Sequence, residues 1–79
     1  MNFNVRGAVI HNIRNLSTQE LQDLVQDSIQ QGEEKLLPGL GVIFEVIWKN
    51  SSPTQQQQMI QTLHQQLSNQ PAPSPIAKL

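Results

Sequence analysis

Between Leu36 and Trp48 the chain is apolar almost without pause, and the pauses that do occur are regular. Gly41, Glu45 and Lys49 fall four residues apart, which draws one narrow polar stripe along an otherwise apolar helix. The β-branched and aromatic residues of Val42-Ile43-Phe44-Glu45-Val46-Ile47-Trp48 favour a strand by propensity. A strand needs partners, however, and no other segment supplies a convincing one. The run therefore reads as a helix, with Pro38 suited to its first turn and Glu45–Lys49 expected as a surface pair in the favoured i, i+4 order. A helix this apolar is expected to be the element around which the others pack. It is interrupted by Pro38, Gly39, Gly41 and Glu45 and falls short of the ~20 residues needed to span a membrane.

The remaining segments are shorter and carry clear stops. Val5, Ala8, Val9, Ile13 and Leu16 lie at near-helical spacing, so a first helix is expected from Asn4 to Leu16, capped by Asn2 or Asn4 and weakened by Gly7. Ser17-Thr18-Gln19-Glu20 is a capping box, in which the Ser accepts from the third backbone N–H while the Glu reaches back to the cap. Leu21, Leu24, Val25 and Ile29 continue that helix, and Gly32 ends it. Ser52-Pro53-Thr54-Gln55 repeats the capping pattern with Pro at the first helical position. Met59, Ile60, Leu63 and Leu67 then mark one face of a fourth helix ending near Ser68. Three prolines on alternate residues, Pro71, Pro73 and Pro75, block helix and ladder alike, so a flexible or polyproline-like tail is expected over 69–79. The expected organisation is one domain over 1–68, an all-α bundle of about four short helices, followed by that tail.

Seventy-nine residues suffice for one small domain, and folds of this size commonly need disulfides, metals or self-association to be stable. There is no cysteine, and His11 and His64 stand too far apart in sequence for a zinc cluster of Cys/His spacing. Self-association is left. Five Lys and Arg against six Asp and Glu leave no basic stripe to neutralise several phosphates, which argues against nucleic-acid binding by charge. Polarity is carried instead by 13 Gln and 6 Asn. The runs Gln55–Gln58 and Gln65–Gln66 read as a solvated helix face, because apolar residues interrupt them at helical spacing. The opening residues lack a cationic region followed by an apolar stretch, so no secretory signal is expected.

Catalytic chemistry finds few candidates. His11 lies off the apolar stripe of its helix, and His64 follows Leu63 where a surface or partly buried imidazole is common; neither is assigned a catalytic or ligand role. Glu33 and Glu34 are adjacent and read as solvated charges at the start of a helical turn. Leu37-Pro38-Gly39-Leu40-Gly41 contains a Gly-x-Gly but lacks the third glycine, the P-loop Lys and a preceding strand. It reads as a turn into a helix whose glycines permit close approach of a neighbour. Phe3, Phe44 and Trp48 are not interleaved with Lys or Arg as a single-strand-binding platform requires. Phe44 and Trp48, four apart, are expected to be core residues or anchors for self-association or a protein partner. No catalytic, cofactor-binding or metal-ligating residue is assigned.

Asn4-Val5-Arg6-Gly7-Ala8-Val9-Ile10 and the stretch from Gly32-Glu33-Glu34-Lys35 through Leu36-Leu37-Pro38-Gly39-Leu40-Gly41 to Trp48 resemble the I-type minor small acid-soluble spore proteins of endospore-forming bacteria. The similarity runs in register through the intervening helix and more loosely through the fourth, over about residues 1 to 67. The Gln-rich fourth helix and the long Pro-rich tail depart from the family pattern. The resemblance implies a protein made in the forespore cytoplasm during sporulation and kept in the dormant spore core. It brings no reaction, cofactor or catalytic residue. It is also distinct from the α/β-type spore proteins that coat DNA, whose DNA-binding and germination-protease motifs are not found here. The expected function is a non-enzymatic structural or interaction component of the spore core. The alternatives are a nucleic-acid-associated spore protein and an amino-acid reserve degraded on germination.

Overall fold

The computed structural model of the chain describes residues 4–69. Four α-helices follow one another: α1 Val5–Ile13, α2 Thr18–Gln31, α3 Leu37–Lys49 and α4 Pro53–Asn69, with a 3-10 turn over Glu34–Leu36 leading into α3. No strand occurs among the described residues, and the protein is all-α. The Pro-rich tail lies outside the described residues. The described chain divides into two compact units, one ending at Lys49 and the other beginning at Asn50.

Each helix limit has a local cause. Asn4 caps α1 by accepting from the Gly7 backbone N–H at 2.9 Å. The helix stops at Ile13, three residues short of the expected Leu16. The reason lies downstream: Ser17 must be extended, at φ −70° and ψ 167°, to cap α2, so the chain leaves the helix first through a turn in which the Leu16 N–H donates to the Ile13 carbonyl. The α2 capping box is complete. Ser17 Oγ accepts from the Glu20 N–H at 3.1 Å, and Glu20 Oε1 accepts from the Ser17 N–H at 2.9 Å. Gly32 ends α2 in the left-handed region at φ 67°, which only glycine occupies without penalty. In the second unit the Ser52 hydroxyl accepts from the Gln55 N–H at 3.1 Å and the Gln55 side chain accepts from the Ser52 N–H at 2.8 Å, the same reciprocal device at the start of α4.

The Val42–Trp48 run is helical, as its polar stripe indicated. Within the first unit α1 crosses α3 directly, while α2 faces them across open clefts. Val42 is buried at 6% exposure and is the one buried residue among those described. Gly39 and Gly41 do not serve close approach: both lie inside α3, and a Cβ at either would meet nothing within 4 Å. The expectation of a turn at this Gly-x-Gly is thereby corrected, because the 3-10 turn upstream already starts the helix and the glycines fall in its body.

Candidate functional site

The clefts and exposed apolar surface of the first unit centre on α3. Three sides of this helix are distinguished by what stands opposite. Pro38, Gly41, Val42 and Glu45 face α1, alongside Val5 and Arg6. Ile43, Val46 and Ile47 face α2 across a cleft of about 540 Å³ that Ile10, Leu21 and Val25 complete. A second cleft of about 450 Å³ runs between α1, α2 and the start of α3, past Val9, Leu24 and Leu40. Both clefts are open and walled mainly by hydrocarbon, with Asn12, Ser28 and Lys35 at one and Arg14, Gln22 and Gln26 at the other.

The side toward α1 holds an unexpected ion pair. The Arg6 guanidinium donates from Nε to Glu45 Oε1 at 2.7 Å and from Nη2 to Oε2 at 2.8 Å. These bonds hold the Glu45 carboxyl below its ordinary range, helped by the positive charges of Arg6 and, more weakly, Lys49, and opposed by partial desolvation. The same bonds raise Arg6. The expected surface pair with Lys49 is corrected here: Arg6 offers a planar fork that matches both carboxylate oxygens, whereas Lys49 adds only a longer-range Coulombic influence. Glu45 is thus a structural clasp.

The third side of α3 carries Leu37, Phe44 and Trp48. Phe44 and Trp48 stack with ring centroids 5.8 Å apart and planes tilted by 33°. Phe44 is 48% exposed and Leu37 60%, while Trp48 is half-buried. Of the aromatic pair expected as core or anchor, Phe44 is therefore exposed and Trp48 partly covered.

The other sequence candidates stay apart. His11 is exposed on α1 and His64 on α4, in different units, and no group of three or more His, Cys, Asp or Glu is positioned to hold a metal among the described residues. Glu33 and Glu34 are exposed at the 3-10 turn, where Glu33 lies 3.8 Å from the Lys35 ammonium. Among the described residues no helix is long and apolar enough to cross a membrane. What sequence reasoning missed is the Arg6–Glu45 clasp. The one available signal was a carboxylate set in an apolar run, which asks for a partner without saying where it is.

The family model "Small, acid-soluble spore protein I" matches residues 3–67. Among similar proteins, the small, acid-soluble spore protein I of Bacillus cytotoxicus is 55% identical over 69 residues, covering 87% of this chain and 99% of that protein. Its namesake from Bacillus cereus is 54% identical over 67 residues, covering 85% and 97%. That from Bacillus anthracis is 52% identical over the same length and coverage. No solved structure matches. The matched stretch takes in the three helices of the first unit and nearly all of α4, and on this similarity the chain belongs to the small, acid-soluble spore protein I family.

Proposed function

We propose that the chain is a non-enzymatic structural or interaction component of the dormant spore core, made in the forespore during sporulation. The observation that carries this reading is the exposed apolar surface of α3. A chain with one buried residue among those described leaves Leu37, Phe44, Val46 and Ile47 of its most apolar helix exposed, and large exposed apolar side chains gathered on one element mark a surface that contacts other molecules. Nucleic acid is a poor fit for such a face. Of the five cations, Arg6 is committed to Glu45 and Lys35 stands beside Glu33, so no basic stripe forms among the described residues.

The test is fractionation of spores carrying an epitope-tagged chain. Recovery only after the core is ruptured, with no retention on duplex DNA at low ionic strength, is the expected result. Recovery in the coat fraction, or salt-sensitive binding to DNA, would overturn the reading. The amide-rich composition also suits a reserve of amino acids, and the lifetime of the tagged chain after germination separates the two roles: persistence into outgrowth is expected of a structural component.

A further inference from the structure

We infer that the trough between α2 and the crossed pair α1 and α3 binds a saturated fatty acid, its chain along the apolar walls and its carboxylate on Arg14. The inference goes beyond the interaction reading above, because it stands on the clefts and not on Leu37 or Phe44. Every residue that lines the two clefts belongs to the first unit. Ile13 and Ile43 line both, so the clefts abut and form one trough.

Size selects a small molecule. Volumes of about 450 and 540 Å³ are those of small-molecule sites. A helix with its side chains is about 10 Å across and needs more room. Leu21, Leu24 and Val25 of α2 line the trough and none of them is buried, so an apolar occupant would remove from water surface that the chain's own packing leaves wet. The nine residues of α1 run beside the trough for about 14 Å, the extended length of a chain of about twelve carbons.

Charge selects the head group. Arg14 and Lys35 line the trough and no Asp or Glu does, although acids outnumber Lys and Arg by six to five in the whole chain. On α2 the acids are placed elsewhere: Glu20 is held in the capping box, and Asp23 accepts from the Gln19 side-chain amide at 3.0 Å. The two cations differ in availability. Lys35 stands 3.8 Å from Glu33, whereas Arg14 forms no ion pair among the described residues. Its guanidinium offers a carboxylate a planar fork at the open edge of the cleft, where the rest of the head group keeps its water. A cationic amphiphile would be repelled there, and a wholly apolar molecule would leave Arg14 unused. An apolar body with one anionic end uses both.

The test takes the purified full chain and sodium laurate, the twelve-carbon saturated acid. Calorimetric titration to about 1 mM laurate, below its micelle range, is expected to saturate at one molecule per chain with a dissociation constant on the order of 100 µM. Methyl resonances of Ile13 and Ile43 should shift along with it. Dodecyltrimethylammonium, which carries the same chain and the opposite charge, should bind at least about tenfold more weakly. Arg14→Gln should weaken laurate about five- to tenfold without weakening the cationic amphiphile, and Arg14→Lys should recover most of the loss. Gln26→Glu, at an exposed position on the cleft, should weaken laurate by a similar factor and strengthen the cationic amphiphile, which keeps the test decisive if the Arg14 variants misfold. No saturable binding, equal binding of the two amphiphiles, or laurate binding indifferent to both Arg14→Gln and Gln26→Glu would each overturn the inference. So would nuclear Overhauser contacts between α4 methyls and Ile43 in the chain without laurate, which would mean that the trough is already filled. Leu37 and Phe44 line neither cleft, so failure with laurate leaves the interaction reading standing.

Discussion

Arg6 on α1 and Glu45 on α3, 39 residues apart in sequence, meet through two parallel hydrogen bonds of 2.7 and 2.8 Å. This clasp closes the same helix crossing in which Val42 is buried, so it sets the register in which α1 lies on α3. The Arg6 and Glu45 side chains are 68% and 37% exposed, and solvent screens much of their attraction. Its contribution is orientation more than stability, since two bonds in a plane fix both the position and the rotation of the partners.

A pH dependence follows from the lowered Glu45 carboxyl. A group whose folded value is depressed contributes stability above its unfolded value and loses it as pH falls through the folded one. Thermal midpoints of the parent and of Glu45→Gln should differ most above about pH 4.5 and converge as the pH falls through the lowered folded value. A constant gap down to pH 2.5 would show that the charge of Glu45 is not what separates them.

Three substitutions separate the local devices that start and stop α2 from the body of α3. Ser17→Ala removes the cap and should cost about 1 kcal/mol, a fall of roughly 4–8 °C in the melting midpoint of a domain this size. Gly32→Ala forces a side chain into the left-handed region and should cost about 1–2 kcal/mol. Gly39→Ala, where an added Cβ meets open space inside a helix, should instead stabilise by about 0.5–1 kcal/mol. Melts followed by circular dichroism check all three, and the opposite signs at positions 32 and 39 are the decisive comparison.

Gly7→Ala should be close to neutral, although Ala is the better helix former. A Cβ there would lie 2.7 Å from the Asn4 side-chain nitrogen, so the cap must shift, and its loss of up to about 1 kcal/mol offsets a similar gain in propensity. In an Asn4→Ala background the conflict is gone, and Gly7→Ala should then stabilise by about 0.5–1 kcal/mol. A double-mutant cycle on melting midpoints measures this coupling.

Burial ranks the apolar residues differently from hydrophobicity. Val42→Ala, at 6% exposure, should cost about 1–2.5 kcal/mol, whereas Ile29→Ala, at 64% exposure on α2, should stay within about 0.5 kcal/mol. Urea titrations of both variants test the order. Equal losses would mean that Ile29 is covered in solution.

Much of the fold was legible because its signals are local. Ser17 and Glu20, or Ser52 and Gln55, stand three residues apart, and their reciprocal hydrogen bonds depend on nothing beyond one turn of chain. The polar stripe of Gly41, Glu45 and Lys49, with no other segment fit to pair as a strand, likewise separated helix from strand. The end of α1 was misplaced because a continuing apolar period competes with the extended backbone that the next cap demands, and the cap prevailed. The clasp was misassigned for a related reason: i, i+4 spacing makes Lys49 the visible neighbour of Glu45, and nothing local reveals that Arg6 approaches from another helix.

Sequence by itself determined that four helices form, the reciprocal caps of α2 and α4 and the stop at Gly32, since each rests on contacts within a few residues. Tertiary structure decided which apolar residue is buried, which cation takes the Glu45 carboxylate, and that the two glycines of α3 face open space. Those outcomes depend on how α1 and α3 cross, and the spacing of residues along one helix carries no information about the angle at which another meets it.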